Sequence, residues 1–226
     1  MRGTAVLAGV FIIGAVNLDA DRARAATVFE SGTLGPTGIS FADIENLTVP
    51  GTFMPSRDLR GVRFELTQPV VTSQVGGHFA GQSGGTFFGA IVKLDGQNDF
   101  PNSTTLFTPD VLGLTMLEFP STSADVYGNL TLSLEPGWYA LVFGSGLFGA
   151  SGFGASVRNG SDIGDPEYIF YPSKLAWLDL DDVTTSPINH RFVVNGSVVP
   201  EPNALVIALL VLAFCFSARW YPKAMR

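Results

Sequence analysis

Gly81-Gln82-Ser83-Gly84-Gly85 spells G-x-S-x-G, and Asp179 and His190 follow it in the chain order Ser, Asp, His. Those residue types can supply a nucleophile, an orienting carboxylate and a general base. A nucleophile elbow also needs a strand before the serine and a helix after it. Here Gly84-Gly85 and a β-type run follow, so a glycine-flanked hairpin loop is the better reading. Gly144-Ser145-Gly146-Leu147-Phe148-Gly149 spells G-x-G-x-x-G after an apolar run. A dinucleotide site requires a helix directly afterwards, with its N-terminus facing the pyrophosphate. Residues 150–166 contain Gly152, Gly154, Gly160, Gly164 and Pro166, which do not make that helix. Asp179, Asp181 and Asp182 are the residues with oxygens to offer Ca²⁺, and Asp162 and Asp165 form a second acidic loop. No calcium-loop repeat surrounds them, so a solvated acidic turn is the plainer reading and no metal or cofactor is expected. His78 and His190 have no second His or Cys at ligand spacing and are read as surface or packing residues.

Composition narrows the partners. The chain has 226 residues, 46% of them hydrophobic and only 15% charged, which excludes disorder for its body. The net charge is −7 with only 13 Lys and Arg, so a phosphate backbone is not the partner. The single Cys, Cys215, permits neither an intrachain disulfide nor a Cys-based zinc site.

Between residues 26 and 198 no convincing amphipathic helix appears, and short apolar runs alternate with turn residues. Val62, Phe64 and Leu66 fall on one face of an alternating run. Residues 129–134 alternate likewise, Glu135-Pro136-Gly137 makes a turn, and 138–143 (WYALVF) reads as a buried strand, so 129–143 is expected to be a hairpin. Residues 86–94 and 191–194 are further strands, with weaker ones at 27–30, 70–77, 111–117 and 168–171. This pattern, with 18 Phe for a core, predicts an all-β domain, a single β-sandwich or jelly roll over 26–198. That segment holds seventeen carboxylates against seven Lys and Arg, a net of −10.

The two ends differ from the body. Residues 1–25 order a basic start, an apolar run over 4–18 and the small-residue site Ala23-Arg24-Ala25, which is the layout of a signal peptide cleaved before Ala26. Val199-Pro200-Glu201-Pro202 precedes an apolar stretch at 204–218 and a tail at 219–226 carrying Arg219, Lys223 and Arg226. The stretch predicts a transmembrane helix with its cations inside and the body outside. At 15 residues it rises about 22 Å, less than a hydrocarbon core of about 30 Å.

Pro-Glu-Pro, a short apolar helix and a basic end resemble the PEP-CTERM sorting domain of exported bacterial proteins. The resemblance covers residues 199–226, with the signal peptide at the other end. It implies export, recognition near Val199, Pro200, Glu201 and Pro202 by an exosortase-type processing enzyme, and release or attachment at the cell surface near exopolysaccharide. In this sequence Arg219 stands alone after the helix, and the other cations are spread behind it.

The expectation is therefore a non-enzymatic structural or adhesive protein of the cell surface or matrix, anchored in the inner membrane before processing. The alternative is a carbohydrate-binding module, with Trp138, Tyr139, Tyr168, Tyr171 or Trp177 stacking on sugar rings. A third reading is a small serine hydrolase built on Ser83.

Overall fold

The structure is a computed structural model that describes residues 26–46, 51–172, 176–180 and 189–200. The expected signal peptide over 1–25 and transmembrane helix over 204–218 lie outside these residues. Along the described chain run β1 (Ala26–Glu30), α1 (Phe41–Glu45), β2 (Gly51–Met54), β3 (Leu59–Leu66), β4 (Val70–Gly81), β5 (Thr86–Lys93) and β6 (Val111–Glu118). β7 (Ala124–Asn129), β8 (Ser133–Leu134), β9 (Gly137–Gly144), β10 (Gly154–Val157), β11 (Glu167–Tyr171), β12 (Leu178–Asp179) and β13 (Phe192–Val198) follow. They form an all-β structure of two antiparallel sheets, as the alternating runs predict.

The first sheet is ordered β1-β13-β4-β10-β2, and β4 is its centre. β13 and β10 follow one another along one edge of β4, while β7 and β8 line the other edge. The second sheet is ordered β12-β11-β3-β9-β5-β6. The sheets face each other across one apolar core. Val75, Phe79 and Phe192 come from the first sheet, and Phe64, Phe87, Leu141 and Phe143 from the second. Phe79 is its hub, with ring centroids of Phe87 at 4.7 Å and Phe143 at 5.0 Å from across the interface. Pairs of this geometry add about 0.5–1.5 kcal/mol beyond area burial.

The second sheet is buried on both faces. Phe88, Val92, Val142 and Ile169 on its outer side are covered by Leu106, Ala150 and Trp177 from loops. Double burial explains why β9 is a continuous apolar run, whereas β3 alternates clean apolar positions with Arg63 and Glu65. On the outer side of the first sheet, Phe41 and Ile44 of α1 pack on Ala80, Ala155 and Val157.

Two local expectations are corrected. The expected hairpin over 129–143 does not form, because β8 pairs with β4 in the first sheet while β9 pairs with β3 and β5 in the second. The turn at Glu135-Pro136-Gly137 therefore carries the chain between sheets, with Gly137 at φ +144°. A helix also exists where none was expected. Ser40 accepts the Asp43 N–H at 3.2 Å, and its hydroxyl donates to Asp43 Oδ2 at 2.6 Å, closing the N-terminus of α1.

Candidate functional site

Ala26 opens β1 and is exposed, with Gly196 of β13 as its Cα partner. β13 ends two residues later at Val198, and the Val199 N–H then donates to Pro69 O at 2.8 Å. Pro200 has no N–H and a fixed φ, so it cannot extend the ladder. Val198, Val199 and Pro200 are all exposed. The first described residue and the start of the Pro-Glu-Pro motif thus lie at the same end of the first sheet. A shallow cavity of about 280 Å³, bordered by Ala26, Gln68, Gly196 and Val198, separates the two exits. Ala23, Ala25, Glu201, Pro202, Arg219, Lys223 and Arg226 fall outside the described residues.

The residues of the hydrolase motif are not brought together. Ser83 sits in the exposed β4–β5 turn. The His190 ring is fully buried against the rings of Tyr168 and Phe192. Burial pushes its pKa down to about 3, with the charge of Arg60 adding to the effect. Asp179 lies in β12 and accepts from Arg63. The G-x-G-x-x-G segment closes as a turn at Gly146–Gly149 and leads to β10, not to a helix.

His78 is fully buried, which is the packing side of the surface-or-packing reading. Its Nδ1 lies 2.9 Å from Asp125 Oδ1 and its Nε2 lies 3.0 Å from Pro36 O. Asp125 also accepts from Arg191 Nε at 2.9 Å, and Arg191 pairs with Glu30. This chain of charges ties β7 to the first strand and to the segment before β13. Among the described residues no group of three His, Cys, Asp or Glu is placed to hold a metal, and no helix is long and apolar enough to cross a membrane. Asp181 and Asp182 lie outside the described residues.

Of the aromatics read as sugar platforms, Tyr139, Tyr168 and Trp177 are buried, while Trp138 and Tyr171 are half-buried. The Tyr139 hydroxyl donates to Glu135 O at 2.6 Å and the Tyr168 hydroxyl to Asp162 Oδ1 at 2.6 Å, so both serve the core. Trp138 instead borders a groove of about 580 Å³. The groove exists because β11 pairs with β3 only as far as Arg63, leaving residues 64–66 paired with β9 alone. β1 of the other sheet forms the facing wall, and Phe29 stacks on Phe64 at 4.8 Å along the floor.

Polar groups surround that floor. Glu65 pairs with Trp138 across β3 and β9, and Gln97 reaches over from the β5–β6 loop to donate to Glu167. Arg63 is almost wholly buried beneath them. Its Nε lies 3.0 Å from Glu167 Oε2, its Nη2 pairs with Asp179, and its guanidinium lies 5.1 Å from the Phe100 ring centroid. Sequence reasoning identified Asp179 as an acidic turn and missed Arg63, Glu167 and Gln97.

No protein-family model, no curated protein and no solved structure matches the chain.

Proposed function

We propose that residues 26–198 are an exported β-sandwich domain that reaches the cell surface or extracellular matrix through its C-terminal tail. In this reading the tail is held in the membrane and an exosortase-type enzyme acts at Val199-Pro200-Glu201-Pro202. The role is structural or adhesive, near exopolysaccharide, and no catalytic step is assigned to the domain.

The observation that carries the reading is the pairing of Ala26 with Gly196. The last strand ends at Val198, one residue before the motif. The strands of the described residues lie between the two expected processing points. Both exits share one end of the sheet, so cutting at either point leaves the ladder intact. A proline fixes φ, removes one N–H donor and biases the residue before it towards an extended backbone, so prolines at 200 and 202 favour a segment that a processing enzyme can read.

Replacing Pro200, Glu201 and Pro202 together with Ala tests this. Membrane insertion should persist, because the apolar stretch is untouched, while processing stops. The precursor should accumulate about 3 kDa heavier than the processed form, the share of 28 residues in a 226-residue chain of 24.0 kDa. If the triple variant reaches the surface at its normal size, the motif is not an address and residues 199–226 are an anchor only.

A further inference from the structure

We propose that the groove between β1 and the unpaired end of β3 binds an uncharged saccharide segment, with Trp138 as the stacking face. This goes beyond the sorting reading and does not depend on it. The groove holds about 580 Å³, within the roughly 300–1,000 Å³ of small-molecule sites. Its surface is divided as a sugar is divided. A pyranose ring presents a C–H face and a rim of hydroxyls, each both donor and acceptor.

The C–H face is matched by Trp138, whose half-buried indole lies on the outer side of the second sheet beside its cross-strand neighbour Glu65. Hydroxyl donors are matched by carboxylate and amide oxygens of Glu65, Gln97, Asp165 and Glu167 along the lining. For the hydroxyl oxygens, the indole N–H of Trp138 is available, since it meets no protein acceptor among the described residues. The backbone of 64–66 adds polar groups along a strand edge that lacks a partner on the groove side.

Charge decides between kinds of saccharide. Glu65 and Asp165 line the groove without an ion pair among the described residues, while Arg63 is engaged by Glu167 and Asp179 and Arg191 by Glu30. A uronate or sulfated sugar would meet unpaired carboxylates, a repulsion that selects for neutral chains. Strand geometry decides against a peptide adding to the sheet. The register of β1 shifts between Thr27 and Phe29, and the unpaired stretch of β3 is three residues long. A bulged, short edge is a poor template for another strand.

The test is calorimetric titration of the full-length chain in lauryldimethylamine oxide, a detergent without a sugar headgroup. The probes are a β-1,4-linked glucose hexamer, an α-1,6-linked mannose hexamer, hexagalacturonate and hexalysine. At least one neutral hexamer should bind saturably and quench tryptophan emission. Trp138→Ala should weaken binding at least about tenfold, as expected for loss of a stacked ring and its contact area. Gln97→Ala, at an exposed side chain, should weaken it about threefold without moving the melting temperature, which separates binding from folding. Failure of both neutral hexamers to bind at about 10 mM overturns the proposal, since that is weaker than a working site. So does equal binding of hexagalacturonate, binding of hexalysine alone, or neutral-sugar binding that neither substitution changes.

Discussion

Ala26 and Gly196 face each other in the antiparallel pair of β1 and β13, so the first and last strands of the domain enter and leave at one end of the first sheet. β13 in turn runs beside β4 from Phe192 to Val198, which places the last strand next to the centre of that sheet. The end of the domain is therefore not a loose extension. It is a core element whose inward residues, Phe192 and Val194, are fully buried.

This arrangement predicts that residues 26–198 fold alone. The rings at the centre of the core, Phe79, Phe87, Phe143 and Phe192, all lie within the fragment. Its net charge of −10 disfavours self-association. Far-UV circular dichroism should be dominated by strand, and sedimentation should give a monomer. A helical spectrum would contradict the fold, and an insoluble fragment would point to an obligate partner.

Stability should fall with acidity through His190. In the unfolded chain an imidazole titrates near 6.5, whereas in the fold burial holds His190 down to about 3. Between those values the unfolded chain carries the extra proton, so folding loses free energy as pH falls from about 6.5 towards 3. Each pH unit in that window costs up to about 1.4 kcal/mol. His190→Phe should flatten this part of the profile, because a ring without a titrating nitrogen stays between Tyr168 and Phe192. Urea melts of both proteins at a series of pH values check it, and equal slopes would refute it.

Arg63 should couple Glu167 and Asp179. Its side chain is 2% exposed and holds both carboxylates, each about a quarter exposed. Glu167→Gln or Asp179→Asn alone leaves one ionic partner and should cost about 1 kcal/mol. The double variant leaves a buried cation unpaired, which costs about 3–5 kcal/mol. Denaturant melts of the four proteins in the cycle should show this excess over the sum of the single changes. Additive losses would mean that Arg63 is solvated through the groove.

Sequence reading located the strands whose residues announce themselves. β3 alternates, β9 is a continuous apolar run, and β5 carries Phe87, Phe88 and Ile91. It passed over β2 (GTFM), β7 (ADVYGN) and β10 (GASV), which are short and rich in small or polar residues. These are strands because the twelve residues of β4 offer a long template, directly to β7 and β10 and through β10 to β2. Alternation at 129–134 correctly marked apolar faces, but a face does not name its partner, and so the hairpin was misassigned. The signal for α1 was present as Ser40 three residues before Asp43, in a stretch too short for helical periodicity to show.

The groove was less legible. Trp138 stood out by residue type, and Asp179 by its acidic neighbours. Arg63 lies 116 residues from Asp179, and no local pattern joins residues at that separation. The groove itself follows from where β11 stops along β3, which is a matter of register between strands and not of either strand's sequence.

The central claim is that the folded domain is what remains after processing at both ends, and intact-mass spectrometry of the protein recovered from its host's cell surface tests it most directly. The account predicts a chain that begins at Ala26 and ends within the Val199-Pro200-Glu201-Pro202 motif, with or without an attached group on the new C-terminus. Recovery at the surface of a chain that still carries Met1 and Arg226 would contradict it.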